Sequence, residues 1–506
     1  PIRSIEMAAF GAMQPESVMA AEQLEELLLR FAAGEAQQVA ATEASLQSAL
    51  AKPAFICDLL VALQRSSASQ VRQLAAVLIR RRIGAFWRRF EAAVQENIKT
   101  VLLSQLQTEP ERLVRASIAA VACVVARHTL PKGAWNELLA FIMQCSQATE
   151  PERREVSMVL VGSLLESIEV VECLQPHSQV LGQLLAKGLE DRASAAIPRA
   201  ALKALSAWAQ VLDEDEAVEV LAPLVQPILR LGMATAAAAD DEVTALACNV
   251  LEELAESSAA ALGSNAANVA RFGLTCAENT PLELSTRSTG LSLVATVVTS
   301  RRKALHKAQL LPTIVEHVFE LCCEETHDDD DDDDDDDELT MHHHAAQVLE
   351  VISEEVPSKQ IIQVITELVK ANHNSDNSFR RRSVFVMLGL MAHGCSEAFC
   401  KRLPVTMPIV YQGCEAPETR VREAACLTIG MFAQFLHPEI LEYGPATLSC
   451  LFKVLDDAKE RVRERACFAL EALCEHLGEA ILPVLEPLIT RLVVLLHNGS
   501  RATQER

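Results

Sequence analysis

A helical face that returns about every forty residues limits the fold of this chain more than any other feature. From Val421, the apolar or small positions are Val421, Ala424, Ala425, Thr428, Ile429 and Phe432. Their offsets of 0, 3, 4, 7, 8 and 11 trace one side of an α-helix. The same template fits Ile197 to Trp208, Val243 to Leu254 and Met341 to Ile352. Anchors fall at Val71, Val114, Arg153, Ile197, Val243, Thr286, Met341, Phe379, Val421 and Val462, spaced 38 to 46 residues apart with a single step of 55. Spacing this regular indicates one architectural unit repeated along the chain, where length alone would suggest roughly three domains.

A second helical stretch lies between successive anchored helices, often opened by Pro, as at Pro53, Pro223, Pro312, Pro404 and Pro483. Proline suits a first helical turn because its missing N–H would be unpaired there anyway. Each unit is therefore a helical hairpin of the HEAT length, and the chain is predicted to be an all-α HEAT-repeat solenoid. Composition agrees: aromatics are only 4% of 506 residues, with 18 Gly and 20 Pro, too few for a sheet and its turns. The expected layout is a tail over 1–19 and an array over 20–506, of about eleven repeats plus a terminal helix. The unit around Leu24 to Leu50 fits loosely, and the helix ending near His497 lacks a successor, as expected either for part of a longer array or for a chain that ends there with something else covering the open face. Arg follows the anchor at 72, 115, 154, 287, 380, 422 and 463, and acidic residues such as Asp376, Glu418 and Asp457 lie just upstream. That pattern predicts helix capping and a ladder of charged pairs between stacked repeats. Pro198 and Thr244 depart from it.

The long step contains Asp328, Asp329, Asp330, Asp331, Asp332, Asp333, Asp334, Asp335, Asp336 and Asp337, followed by Glu338. Counting the loose unit as first, this insertion (324–340) falls between the two helices of unit eight. Ten adjacent carboxylates repel one another and resist burial, so a solvated loop is expected. It serves either as a solubilising tract or as an electrostatic clamp for a basic partner. The chain carries 45 Lys+Arg against 69 Asp+Glu, a formal charge of −24. Such a balance disfavours direct nucleic-acid binding and favours basic proteins. His327, His342, His343 and His344 flank the run, but consecutive helical residues point in different directions and cannot share one ion; no metal site is expected. His344 occupies a core position of the template.

No phosphate-cradling Gly loop, nucleophile elbow or His-Glu-x-x-His helix occurs. The carboxylates lie on helix faces at repeat spacing, and neither an enzyme nor a cofactor is expected. The 15 Cys are scattered through apolar helices, as small core residues of a reducing compartment would be, and the adjacent pair Cys322 and Cys323 reads as incidental. No secretory signal is expected, and charge interrupts the apolar stretches before a membrane span is reached. Trp208 at offset 11 is a packing residue. Arg80, Arg81, Arg82, Arg88 and Arg89 surround Trp87 in a basic patch that reads as a nucleic-acid contact or, favoured by the net charge, as a contact for an acidic protein surface, while Arg301, Arg302 and Lys303 form a smaller cluster without an assignment.

Residues 67–90, with Gln70-Val71-Arg72-Gln73-Leu74-Ala75-Ala76-Val77-Leu78 followed by the basic run and Trp87, resemble the second HEAT repeat of the importin-β family of nuclear transport receptors. The repeat length and the place of the acidic insertion agree along the chain. The resemblance implies a monomeric import receptor that shuttles between cytoplasm and nucleus. Such a receptor carries basic cargo such as histones and ribosomal proteins, passes Phe-Gly nucleoporins and releases cargo when Ran-GTP binds. It places Ran contacts in the first repeats (20–130), on helices bearing Arg72 and Arg115, and on the acidic loop. Glu252, Glu253, Glu423, Glu460 and Glu464 are candidate cargo contacts. The alternative is a static HEAT scaffold, such as a phosphatase regulatory subunit or a coat component.

Overall fold

The computed structural model describes residues 18–33, 39–325, 340–478, 481–482 and 485–498. Among them there is no β-strand. The chain divides into two compact units, residues 1–228 and 229–506. The first opens with helices Ala21–Ala33 and Val39–Leu50. Antiparallel hairpins follow: Phe55–Arg65 with Ser69–Phe86, Ala92–Thr108 with Arg112–Thr129, Asn136–Ser146 with Pro151–Leu165, and Ser178–Glu190 with Ala196–Ala209. In the second unit Asp241–Ser257 is followed by Ala266–Glu278 with Leu284–Lys307, Leu311–Cys322 with Met341–Glu355, and Ile362–Asn372 with Ser378–Leu390. Leu403–Cys414 with Thr419–Phe435, Gly444–Val454 with Glu460–Leu477 and the helix Leu485–Asn498 complete it. This is the architecture of a HEAT-repeat α-solenoid.

Every anchored template lies on the second helix of its hairpin, and its apolar side forms the core. Val421, Ala425, Ile429 and Phe432 are all at most 1% exposed; burial of a side chain the size of Ile or Phe is worth about 1.5–3 kcal/mol. Second helices stack on second helices within each unit, for example Thr419–Phe435 between Ser378–Leu390 and Glu460–Leu477. Small residues at offset 4 face the first helix of the same hairpin and let it come close, as Ala201 does at Gly188 and Ala425 at Gly413. Gly290 meets Gly273 on the paired helix so closely that a Cβ on either would lie 2.6–2.7 Å from the other's carbonyl oxygen. Trp208 is buried, as a packing residue should be.

Three expectations need correction. The hairpin closed by Ser378–Leu390 is in register one residue later than the sequence suggests: Ser383, Val384, Met387 and Leu388 are buried, whereas Phe379 and Arg382 are not. The pattern therefore starts at Arg380. In Met341–Glu355 the buried imidazole belongs to His342, while His344 is half-exposed. Finally, the segment Arg112–Lys132 does have the length and hydropathy of a membrane-spanning helix, although 56% of its most apolar window is buried. It is the second helix of a hairpin, packed against Ser69–Phe86 and Pro151–Leu165.

Candidate partner-binding surfaces

The arginines after the anchors are loop clamps. Arg72 Nη1 donates to the carbonyls of Ser66 (3.1 Å) and Ser67 (3.0 Å) in its own hairpin, while Nε and Nη2 grip the Glu109 carboxylate of the next, both at 2.8 Å. Arg154 holds the Ala148 and Thr149 carbonyls and Asp191 in the same way. Arg422 does so with Ala416, Pro417 and Asp457. In the shifted hairpin this part is played by Arg381, which binds the Ser375 carbonyl and Glu418. Arg287, buried, bridges Ala277 and Glu324.

The acids upstream of the helices therefore act mainly as partners of the preceding arginine; side-chain capping of the second helices comes from Asp240, Thr340 and Asn377 instead. The electrostatics follow. The hydrogen bond from Arg154 holds Asp191 below the usual carboxylate range, and Glu109 raises Arg72 above an ordinary guanidinium. Burial pushes Asp457 up, but Arg422 and the Lys459 amide outweigh it and leave the carboxyl depressed.

Of the two arginines singled out from the sequence, Arg72 is a rung of this ladder and Arg115 holds only its own loop. Arg115 clamps the carbonyls of Glu109 and Pro110, at 2.9 and 2.8 Å. The five candidate glutamates all sit half-buried on second helices. Glu252 accepts hydrogen bonds from Ser292 and Thr296 of the neighbouring second helix, and Glu423 pairs with Arg465 at 3.5 Å. Glu460 lies in the first turn of its helix, where a negative charge complements the helix dipole. The carboxylates from Asp328 to Asp337 lie outside the described residues.

In the basic patch, Arg80, Arg81, Arg82, Arg88 and Arg89 are exposed while Trp87 is core. Lys132 and Arg127 of the next hairpin extend it. With burial as the leading cause, Arg88 and Lys132 help depress His128. All described cysteines are free thiols, and burial pushes the Cys322 and Cys323 thiols up.

Sequence reasoning missed two features. One is Arg382, whose guanidinium is depressed by burial beside Cys322, hidden within a run of three arginines. The other is a break inside the helix Leu284–Lys307 at Arg301. No apolar-periodicity signal reveals either.

The chain matches the family model of the importin-beta N-terminal domain over residues 42–108, and one described as IPO5-like, TPR repeats, over residues 110–272. It is 28% identical to human importin-4 over 435 residues, covering 83% of this chain and 40% of that protein. It is 25% identical to a probable importin subunit beta-4 of Schizosaccharomyces pombe over 427 residues, 83% of this chain and 39% of the relative. The chain therefore spans about 40% of the length of these curated relatives. Among solved structures, Kap121p superposes with a TM-score of 0.82 at 22% identity, over 96% of this chain and 48% of that one. Kap121p bound to RanGTP gives 0.83 at 21% identity, with the same coverage. Two adjacent family models and relatives matched across most of the sequence agree, and the solved neighbours share the solenoid fold: over most of its length this chain is similar to the importin-β family.

Proposed function

We propose that the chain is part of a nuclear import receptor that binds basic cargo, including histones and ribosomal proteins, together with Phe-Gly nucleoporins, and releases cargo on binding Ran-GTP. The observation that carries this reading is a chain of importin-β type with ten of its carboxylates gathered in a single hairpin, between Glu325 and Thr340. The ten-aspartate run then acts as the clamp for basic surfaces of Ran or cargo, over the short range that salt screening allows. Kap121p has been solved with RanGTP, with Nup53p and with Pho4p, which supports the same classes of partner for this chain.

In this reading residues 20–130 form the Ran-binding region. Arg72 and Arg115 contribute by holding the loops of its hairpins in register rather than by reaching the partner. Glu252, Glu253, Glu423, Glu460 and Glu464 supply carboxylates to cargo from the second helices. Shuttling between cytoplasm and nucleus follows from the activity.

A pull-down of Ran loaded with GTP or GDP tests the proposal. Preferential capture of the GTP form is expected, whereas equal or absent capture of both would favour a static scaffold. Deleting Asp328 to Asp337 should weaken binding at low salt and matter less at high salt; unchanged affinity at low salt would reduce the run to a solubilising tract.

A further inference from the structure

The helix Leu284–Lys307 is broken at Arg301, whose φ of −127° and ψ of 26° leave the helical region. The local sequence explains the break. Thr299 and Ser300 return their hydroxyls to the carbonyls of Ala295 and Thr296, a pattern that bends helices, and three cations follow in succession. A cleft of about 360 Å³ opens there, lined by Thr299, Ser300, Arg301, Arg302, Lys303 and Glu355.

We infer that this cleft is an oxyanion site that takes a phosphate group, either free or carried on a peptide side chain. Its two guanidinium groups are fixed in advance. Arg301 Nη2 donates to the Gly263 carbonyl at 3.2 Å, from the segment that precedes its hairpin. Arg302 Nη1 donates to the Glu355 carbonyl at the end of the next second helix. An arriving anion meets cations already held in place, so little side-chain freedom is lost. Among the described residues the Arg301 Nε is buried without a hydrogen-bond partner, an unsatisfied donor on a residue that lines the cleft. Lys303 stands exposed at the mouth.

Ordinary stabilisation of helix ends accounts for the one carbonyl bond made by each arginine, but not for the donor left over. The resident carboxylate is a weak competitor. Glu355 Oε2 lies 3.8 Å from Arg302 Nη1, with both side chains more than a third exposed. Planar guanidinium forks with an adjacent ammonium suit the geometry and charge of phosphate. A bound phosphate would tie together three segments of the second unit: the loop at Gly263, the broken helix, and the end of Met341–Glu355.

Isothermal titration of the 506-residue chain tests this with three probes. These are inorganic phosphate, a glycine–alanine peptide with one central phosphoserine, and the same peptide unphosphorylated. Saturable binding of a phosphorylated probe is expected, weakened at least about tenfold by Arg302→Gln and severalfold by Lys303→Gln. Glu355→Gln should tighten it severalfold, a gain that misfolding cannot imitate. Tighter binding of the phosphopeptide than of inorganic phosphate would assign the site to a phosphorylated partner; equal affinities would assign it to the free anion. The proposal is overturned if neither phosphorylated probe saturates, if the unphosphorylated peptide binds as well as the phosphorylated one, or if Lys303→Gln and Glu355→Gln leave affinity unchanged.

Discussion

The position after each anchor has two kinds of occupant. In some hairpins it is an arginine that clamps its own loop and, at Arg72, Arg154, Arg287 and Arg422, reaches an acid of the next hairpin. In others it is Pro198, Thr244 or His342, all buried and uncharged as packed. The first kind joins neighbouring repeats through charge and directed hydrogen bonds; the second fills the same place with packed volume. Individual links of such an array can therefore differ in sensitivity to salt and pH while the helices remain alike. Within the first kind, Arg115 has carbonyl partners alone, which separates the value of the loop clamp from that of the ion pair.

Breaking a full rung should have the largest effect. Arg422→Ala leaves Asp457, whose side chain is only 10% exposed, without its guanidinium and frees two carbonyls. A loss of about 3 kcal/mol is expected in chemical denaturation. The buried His342 should come next. Burial first, then Arg382 and His343, lower its pKa to about 3, whereas in the unfolded chain it sits near 6.5. Between those values only the unfolded state takes up the proton, so its contribution to stability is complete above about pH 6.5 and lost as pH falls. The slope is about 1.4 kcal/mol per pH unit. His342→Gln should flatten the dependence of melting temperature on pH between 5 and 7. Arg115→Ala should cost only about 1 kcal/mol; a loss as large as that of Arg422→Ala would mean that the ion pair adds nothing to the clamp. Thr244→Val should be the mildest, about 0.5 kcal/mol or less. It removes the 3.0 Å hydrogen bond to Thr235, whose own hydroxyl still has the Gly232 carbonyl.

Much of the repeat was legible because one physical signal is printed ten times. Each second helix must bury the same face against the same kind of neighbour, so the template reappears at nearly fixed spacing. The ladder could be anticipated from Arg following the anchor with an acid nearby. The direction of the acid could not, since Glu418 and Asp457 read equally well as helix caps until the preceding arginine is seen to reach them. The register slipped by one where Arg380, Arg381 and Arg382 are identical in type and the apolar run around Phe385 fits both phases. His342 and His344 were exchanged for a related reason: three like residues at a helix start carry no pattern, and Thr340 and its cap decide which ring turns inward. The cleft at Arg301 was invisible because it depends on a helix failing to continue. The partner surfaces were the least legible, since a cargo-binding carboxylate and an ordinary helix-face carboxylate are the same residue in the same place.

The proposed function requires that cargo and Ran-GTP exclude one another on this chain. A fluorescent Lys/Arg-rich histone-tail peptide bound to it, followed by anisotropy while Ran is added, measures that directly. Displacement by Ran-GTP at concentrations where Ran-GDP has no effect is the predicted result. A peptide that remains bound while Ran-GTP saturates the chain would contradict the account.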